Sequence, residues 1–592
     1  MSDVKKEKRK LKNSIYRYLG EYKKESILGP LFKLLEASFE LIVPLVVAAI
    51  IDKGIGGSDK GYIVRMSAVM VALGIVGLIS AVTAQFFAAK AAVGFSTRLR
   101  HELFAHIQKF SFSDIDNVGT STMITRMTSD INQVQNGVNM VLRLFLRSPF
   151  IVFGAMIMAF TIDVKAAFVF VVVIPVLSVV VFAIMAISIP LYKKVQSGLD
   201  KVLGITRENL TGARVIRAFN KEQDEIREFD EAHENLTGLQ MLVGRITGLM
   251  NPLTYIVINV GIIVLIYVGA IRVDSGVITQ GEVVALVNYM SQILVELIKL
   301  ANLIITVTKA VACGNRVQSV MDMQTDMEDG SKSVESLSDS GQYSDVCAVE
   351  FEDVGLVYKG ASEEALSHIT FKANKGDTIG IIGGTGSGKS SIVNMIPRFY
   401  DATSGKIKIN GNDIKEYSIE ELRKSIGIVM QKAVLFKGTI RDNMKWGNEN
   451  ATDEEIWEAL DIAQASEFVK GKDKKLDTVV EQGGKNFSGG QRQRLTIARA
   501  VVRKPDILIL DDSSSALDYA TDARLRKAIS GMSGDTTVFI VSQRTSSLRH
   551  ADNIIVMDDG VIVGMGTHDE LLKSCDVYKE INASQESGKE AV

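Results

Sequence analysis

The sequence predicts an α-helical membrane domain of six transmembrane helices, followed by an α/β domain built on a phosphate-binding loop. Two observations carry this. Apolar residues are segregated: 47% of the chain is hydrophobic although 23% is charged, and Ala166 to Pro190 and Ile246 to Ile271 contain no charged residue. Both runs exceed the roughly 20 residues needed to cross a bilayer. Further on, the strand-like Thr378-Ile379-Gly380-Ile381-Ile382 runs straight into Gly383-Gly384-Thr385-Gly386-Ser387-Gly388-Lys389-Ser390, a full P-loop pattern.

The other spans follow in order. Leu28 to Ile51 carries Lys33, Glu36 and Glu40; Met66 to Ala89 is clean; Leu146 to Ile162 extends back through Val141-Leu142; Val283 to Val311 carries Glu296 and Lys299. The lysines and arginines at 5, 6, 8, 9, 10, 12 and 17 place the N-terminus in the cytoplasm. The first apolar run begins too late and is too long for a cleavable signal. Six crossings return the chain to the cytoplasm, in a multi-pass protein of the plasma (inner) membrane. Outer loops are then short (52–62, 162–165, 272–282). Inner loops (90–141 and 190–245) are long and basic, with Arg98, Arg100, Lys193, Lys194, Arg207, Arg214 and Arg217. The sequon Asn209-Leu210-Thr211 is cytosolic in this topology and inert.

The organisation expected is a basic N-terminal segment (1–27), a membrane domain (28–320), an acidic Ser/Gly-rich exposed linker (321–345, with Asp326, Glu328, Asp329 and Glu335), a nucleotide-binding domain (346–583) and a disordered tail (584–592). Cys313, Cys347 and Cys575 fall in cytoplasmic regions without metal-like spacing and are expected as free thiols. No heptad or solenoid repeat is present, and no nucleic-acid partner is expected.

In a P-loop, glycines let backbone N–H groups close around phosphate oxygens at the start of a helix. Lys389 reaches the β- and γ-phosphates, and the Ser390 hydroxyl suits Mg2+. Asp511, at the end of the apolar run Ile507-Leu508-Ile509-Leu510, is placed to hold Mg2+ through water. ATP and Mg2+ are the expected cofactors.

From Gly383 to Gln543 the order and spacing of motifs resemble the ATP-binding domain of ABC transporters, an α/β RecA-like fold, and the resemblance extends over 349–583. It implies further roles. Tyr358 resembles the aromatic that stacks on adenine. Ser391 continues the P-loop contacts. Gln431, in Val429-Met430-Gln431, resembles the glutamine that contacts Mg2+ and couples to the membrane domain. Ser488, Gly489, Gly490 and Gln491, after Phe487, resemble the signature motif, which contacts ATP held by the opposite subunit. Ser515-Ala516-Leu517-Asp518 resembles the D-loop. The tips of the inner loops, Phe112 to Val118 and Gly212 to Phe219, resemble coupling helices that dock on the nucleotide-binding domains. Arg126 and Asp130 are spaced to pair on one helix face.

Two positions depart from the family. A Glu that polarises the attacking water is expected at 512 and a His at 543; the chain has Asp512 and Gln543. Asp is one methylene shorter, and a misplacement of about 1 Å at a reacting group costs roughly 100-fold in rate. An amide can hydrogen-bond a phosphate but cannot carry the proton or charge of an imidazole. Together the changes read as a degenerate site that binds ATP and hydrolyses it slowly, beside a signature motif able to serve a partner.

The resemblance implies half of a type IV ABC exporter, an ATP-driven translocase in a lipid bilayer that pairs head to tail with a second half-transporter. A heterodimer whose partner carries the missing Glu and His is favoured. A homodimeric lipid flippase or drug exporter, or an ATP-gated regulatory subunit, are the alternatives. No peptidase-like domain precedes the first span, which argues against a processing peptide exporter. For a substrate, Glu36, Glu40 and Glu296 could attract a cation, against which stands local pairing of Lys33 with Glu36 and of Glu296 with Lys299. Met156, Met158, Met250 and Met290 offer an adaptable surface. Small hydrophobic or amphipathic compounds, as in multidrug efflux, are the expected class.

Overall fold

A computed structural model describes residues 14–325, 327–333, 347–513, 516–532 and 536–587. These form two compact units: the chain to Gln108 with Ser121–Met323, and Lys109–Thr120 with the chain from Gln324 onward.

Among the described residues, the first unit contains six helices long and apolar enough to cross a membrane: Ile15–Ile55, Lys60–Ile107, Thr120–Ile162, Val164–Ala218, Glu222–Asp274 and Gln280–Met321. Each contains one expected span. The fourth runs unbroken for 55 residues, roughly 80 Å at 1.5 Å per residue, so it far outreaches the ~30 Å hydrocarbon core. The inner loops are therefore mostly helix. Gly212 to Phe219 is not a separate helix, as the family resemblance suggested; it is the end of this long helix, which turns at Phe219 before Glu222. No proline stands there and Gly212 is accommodated within the helix, whereas Asn220, at φ 53°, makes the turn. The basic residues from Lys5 to Lys12 lie outside the described residues.

Helix ends are fixed by charge. Asp163 caps the fourth helix through the Ala166 amide (2.9 Å) and accepts two bonds from Arg272 (2.6 and 3.2 Å). Asp52 accepts from Thr279 Oγ1 (2.6 Å) and the Gly281 amide (2.8 Å), tying the first span to the start of the sixth. Arg126 and Asp130 do pair, at 2.8 Å, and Arg316 joins them at 2.5 Å.

The charges inside the spans assemble into one network. Lys33 pairs with Glu36 (2.5 Å) and Lys299 with Glu296 (2.8 Å), as local spacing allowed. Arg147, which the sequence reading had not singled out, enters from the third span. It binds Glu296 (2.5 Å) and Glu40 (2.6 Å) and lies 4.0 Å from Glu36. Three carboxylates thus meet three cations. A net negative site that would attract a cation is not what these residues build.

Among its described residues the second unit holds two main sheets and a small antiparallel pair, Gly438–Thr439 with Val479–Val480. β1 (Val349–Leu356), β2 (Leu366–Ala373) and β4 (Ser404–Ile409) form an antiparallel sheet in the order β2-β1-β4, with Asn412–Asp413 beside β4. β3 (Thr378–Gly383), β5 (Ile426–Val429), β6 (Ile507–Asp511), β7 (Thr537–Val541), β8 (Asn553–Asp558) and β9 (Val561–Gly566) form the second, in the order β9-β8-β3-β7-β6-β5. Its strands are parallel except for β9. β6 is buried along its whole length, which is why it reads as an uninterrupted apolar run.

Phe112–Val118 is a short helix, opened by a capping box between Ser111 and Asp114 and closed by Gly119 at φ 78°. Its Phe112 ring stacks on Phe399, centroids 4.2 Å apart. Tyr400 donates to Asp116 at 2.8 Å. The expected exposed linker is partly tethered: Ile419 N–H donates to Asp329 (2.8 Å), and Ser331 and Lys332 N–H groups donate to the Glu416 carbonyl. Asp326 and Glu335 lie outside the described residues. The tail expected to be disordered is helical through Ser587, within the helix Asp576–Ser587. The rest of the tail, 588–592, is outside the described residues.

Candidate nucleotide site

Three strand ends build the site. β3 is flanked by β8 and β7, and β7 by β6. The loops leaving the carboxyl ends of β3, β6 and β7 are therefore neighbours, at the edge where open α/β sheets take ligands. They bring Thr385, Gly386, Lys389, Ser390, Asp511, Asp512 and Gln543 to one cleft, joined there by Gln431 from the loop after β5.

The loop after β3 needs its glycines. Gly386 and Gly388 sit at φ 87° and 93°, a region L side chains seldom enter. A Cβ at Gly388 would also come within 2.6 Å of Leu366. Gly388 precedes the helix Lys389–Met395. The Lys389 ammonium is held by the carbonyls of Gly383 (3.0 Å) and Gly384 and by Ser387 Oγ (3.3 Å). Burial pushes its pKa down, against the pull of Asp511 and Asp512.

Ser390 Oγ donates to Asp511 Oδ1 at 2.9 Å. Burial pushes the Asp511 carboxyl above the usual range; the Ser390 bond and Lys389 oppose this, and Asp512 adds to it. Burial likewise raises Asp512, opposed first by a hydrogen bond from the Gln431 side chain and then by Arg544 and Lys389. Asp512 turns away from the end of β6 at φ 46°. Its amide is bonded to the Val541 carbonyl (3.0 Å), which locks it beside β7. A hydroxyl, two carboxylates and an amide in one cleft form a hard-oxygen donor set that fits Mg2+, with Lys389 and the loop amides beside it for phosphate.

Gln543 lines the same cleft, and its carbonyl accepts from Gln585 Nε2 at 2.7 Å. Gln585 Oε1 accepts from the Thr545 amide (2.9 Å) and hydroxyl (3.1 Å). The C-terminal helix thereby holds Gln543 and, two residues on, Thr545. No sequence signal marks Gln585, since the contact spans 42 residues. Tyr358 follows β1; its hydroxyl shares a hydrogen bond with Ser391 (2.8 Å), and its ring meets that of Tyr400 edge-on at 5.1 Å.

Ser488, Gly489, Gly490 and Gln491 do not line this cleft. They open the helix Gly489–Val501, where the Ser488 hydroxyl accepts from the Gln491 amide (3.3 Å) and the Gln491 side chain accepts from the Ser488 amide (3.1 Å). Ser515 lies outside the described residues, whereas Asp518 caps the next helix through Thr521 (2.8 Å).

Comparison with known proteins gives a consistent picture. Residues 26–297 match the family described as ABC transporter transmembrane region, and residues 366–515 the family described as ABC transporter. The chain is 36% identical over 574 residues to an uncharacterised ABC transporter ATP-binding protein of Mycobacterium tuberculosis, covering 96% of this chain and 97% of that one. It is 32% identical over 579 residues to a putative multidrug export ATP-binding/permease protein of Bacillus subtilis, covering 95% and 97%. A solved bacterial Atm1-family ABC exporter with ATP bound shares the fold, with a TM-score of 0.77 at 22% identity over 95% of this chain and 98% of that one.

Proposed function

Because this chain belongs to the ABC transporter family, and is thus a multi-pass, ATP-binding membrane translocase of the exporter type, we propose that it is the degenerate-site half of a heterodimeric exporter of small hydrophobic or amphipathic compounds. The single observation that carries this is the pair Asp512 and Gln543, which line one cleft with Lys389, Ser390 and Asp511. The substrate class rests on the likeness to a putative multidrug exporter. The N-terminus and the ATP-binding domain are cytoplasmic on the charge argument, in the plasma (inner) membrane.

In this reading Lys389, Ser391 and the amides of 383–390 hold the triphosphate, Tyr358 faces the adenine, and Ser390, Gln431 and Asp511 hold Mg2+. Bound Mg-ATP supplies the hydrolysable bond and the metal's charge neutralisation. Lys389 is stripped from water, so its charge acts in a low dielectric. Asp512 orients water from a carboxylate one methylene short, and Gln431 occupies part of its accepting capacity. Gln543 donates an N–H but moves no proton. Ser488 to Gln491 face the partner's nucleotide.

The test is assembly. The chain purified alone, placed in liposomes, is expected to turn over ATP far more slowly per ATP-binding domain than the chain co-purified with a second half-transporter that carries Glu and His at the matching positions. Equal turnover would contradict the heterodimer.

A further inference from the structure

The charge network inside the membrane unit does not close on itself. A cavity of about 410 Å3 lies between the first and sixth spans, within the size range of small-molecule sites. Glu40, Glu296 and Lys299 line it; the Glu40 and Lys299 side chains are 40% and 41% exposed, whereas Glu296 is already engaged by Arg147, Ser148 and Lys299. The groups that join them are buried: Arg147 is 6% exposed and Glu296 3%. The chain of contacts runs from Glu40 to Arg147 (2.6 Å), to Glu296 (2.5 Å), to Lys299 (2.8 Å). One open carboxylate and one open ammonium are thus held apart by a single guanidinium and a single carboxylate.

Between them the cavity offers amides. Gln292 donates weakly to the Glu40 carbonyl (3.5 Å), while its Oε1 is buried without a hydrogen-bond partner. Asn288 and Ser291 of the sixth span and Val43 and Val47 of the first also line the cavity. A buried amide oxygen without a partner is costly, and polar groups at membrane depth gather where a path or ligand meets them. A singly charged ligand would satisfy one open end and meet like charge at the other.

We propose that this cavity binds a zwitterionic amphipath, its cationic group on Glu40, its anionic group on Lys299, a hydrogen-bond donor on Gln292 Oε1 and its apolar part along Val43 and Val47. This rests on the export reading above and narrows its substrate class.

The test is a native mass spectrometry titration of the intact dimer with three lipid-like probes: lysophosphatidylethanolamine, lysophosphatidylglycerol of the same acyl chain, and a long-chain alkyltrimethylammonium. The zwitterion is expected to bind tightest. Glu40→Gln and Lys299→Gln are each expected to weaken it by roughly tenfold or more, the value of a lost charge-assisted contact. Glu40→Gln should weaken the cation probe and spare the anion; Lys299→Gln should do the reverse. Arg147 keeps Glu36 and Glu296 in the first variant, and Glu296 keeps Arg147 and Ser148 in the second, and the dimer mass in the same spectrum reports assembly. Should one variant fail to assemble, the other carries the test. Unchanged zwitterion binding in an assembled variant, or a cation probe bound as tightly as the zwitterion, would overturn the proposal. ATP-driven efflux of a cationic dye with no effect of either variant would leave export standing and remove this site. Probe binding that follows the two charges, with no efflux of any compound, would leave the site standing and remove export.

Discussion

The Tyr400 phenol donates to Asp116 at 2.8 Å, across 284 residues of sequence. Burial, with Asp116 and Tyr358 alongside, pushes the phenol's pKa further up, so it remains a donor across the physiological range. Tyr400 also meets the ring of Tyr358, and Tyr358 shares a hydrogen bond with Ser391 in the P-loop helix. The short helix between the second and third spans is thereby joined to the nucleotide cleft in three contacts.

If that line transmits motion, Tyr400→Phe should uncouple the protein. The variant loses one hydrogen bond to a carboxylate, about 1.5–3 kcal/mol, and Asp116, being exposed, is left without a burial penalty. Transport per ATP hydrolysed in proteoliposomes should fall severalfold while ATP binding is retained. Loss of ATP binding with unchanged coupling would contradict the assignment.

The cleft's carboxylates make a prediction about stability. Asp512 has a folded pKa above its ordinary value, so its charge costs native stability at neutral pH, and the cost disappears as pH falls through the folded pKa towards the ordinary one. Asp512→Asn should therefore raise the nucleotide-free melting temperature at pH 7, and the gain should vanish near the ordinary carboxylate pKa. A gain that persists or grows in acid would show that burial is not its cause.

Arg147 makes the opposite case. Arg147→Met removes the cation shared by Glu40 and Glu296. Breaking a buried ion pair from one side costs about 3–5 kcal/mol. Detergent-solubilised variant should melt well below the parent. Adding Glu296→Gln should recover part of the loss; no recovery would mean that packing, not charge, is what Arg147 provides.

Nucleotide occupancy separates binding from chemistry. After incubation with Mg-ATP, the nucleotide retained at this chain's P-loop should be mostly ATP, read by chromatography of the released nucleotide. ADP formed as fast as at the partner's site would count against a degenerate cleft.

Much of this was legible in the sequence because it rests on local pattern. The six spans follow from long apolar runs, the P-loop from its glycines and the strand before it, and the helix Phe112–Val118 from its resemblance to a coupling helix. What was not legible depends on partners distant in sequence. Arg147 stands at the edge of an apolar run, and only the fold shows it meeting Glu40 and Glu296. Gln585 belongs to a polar C-terminal stretch that reads as tail until it grips Thr545. Segment 327–333 reads as linker because its anchor at Glu416 and Ile419 cannot be inferred from composition. Gly212–Phe219 was set apart by analogy, although the helix runs on through Gly212 to Ala218.

The most direct test of the central claim compares two substitutions in the proposed heterodimer. Ser488→Arg places a bulky cation where the signature would meet the partner's ATP. Asp512→Asn alters this chain's own site, which the proposed reading makes slow. Ser488 also caps a helix, worth about 1 kcal/mol, too little to unfold the domain. Losing one preorganised transition-state interaction costs roughly 10²–10³-fold. Steady-state ATPase should therefore fall by about that factor in Ser488→Arg and change little in Asp512→Asn. Equal losses in the two variants would mean that the two ATP sites are equivalent and the asymmetric account is wrong.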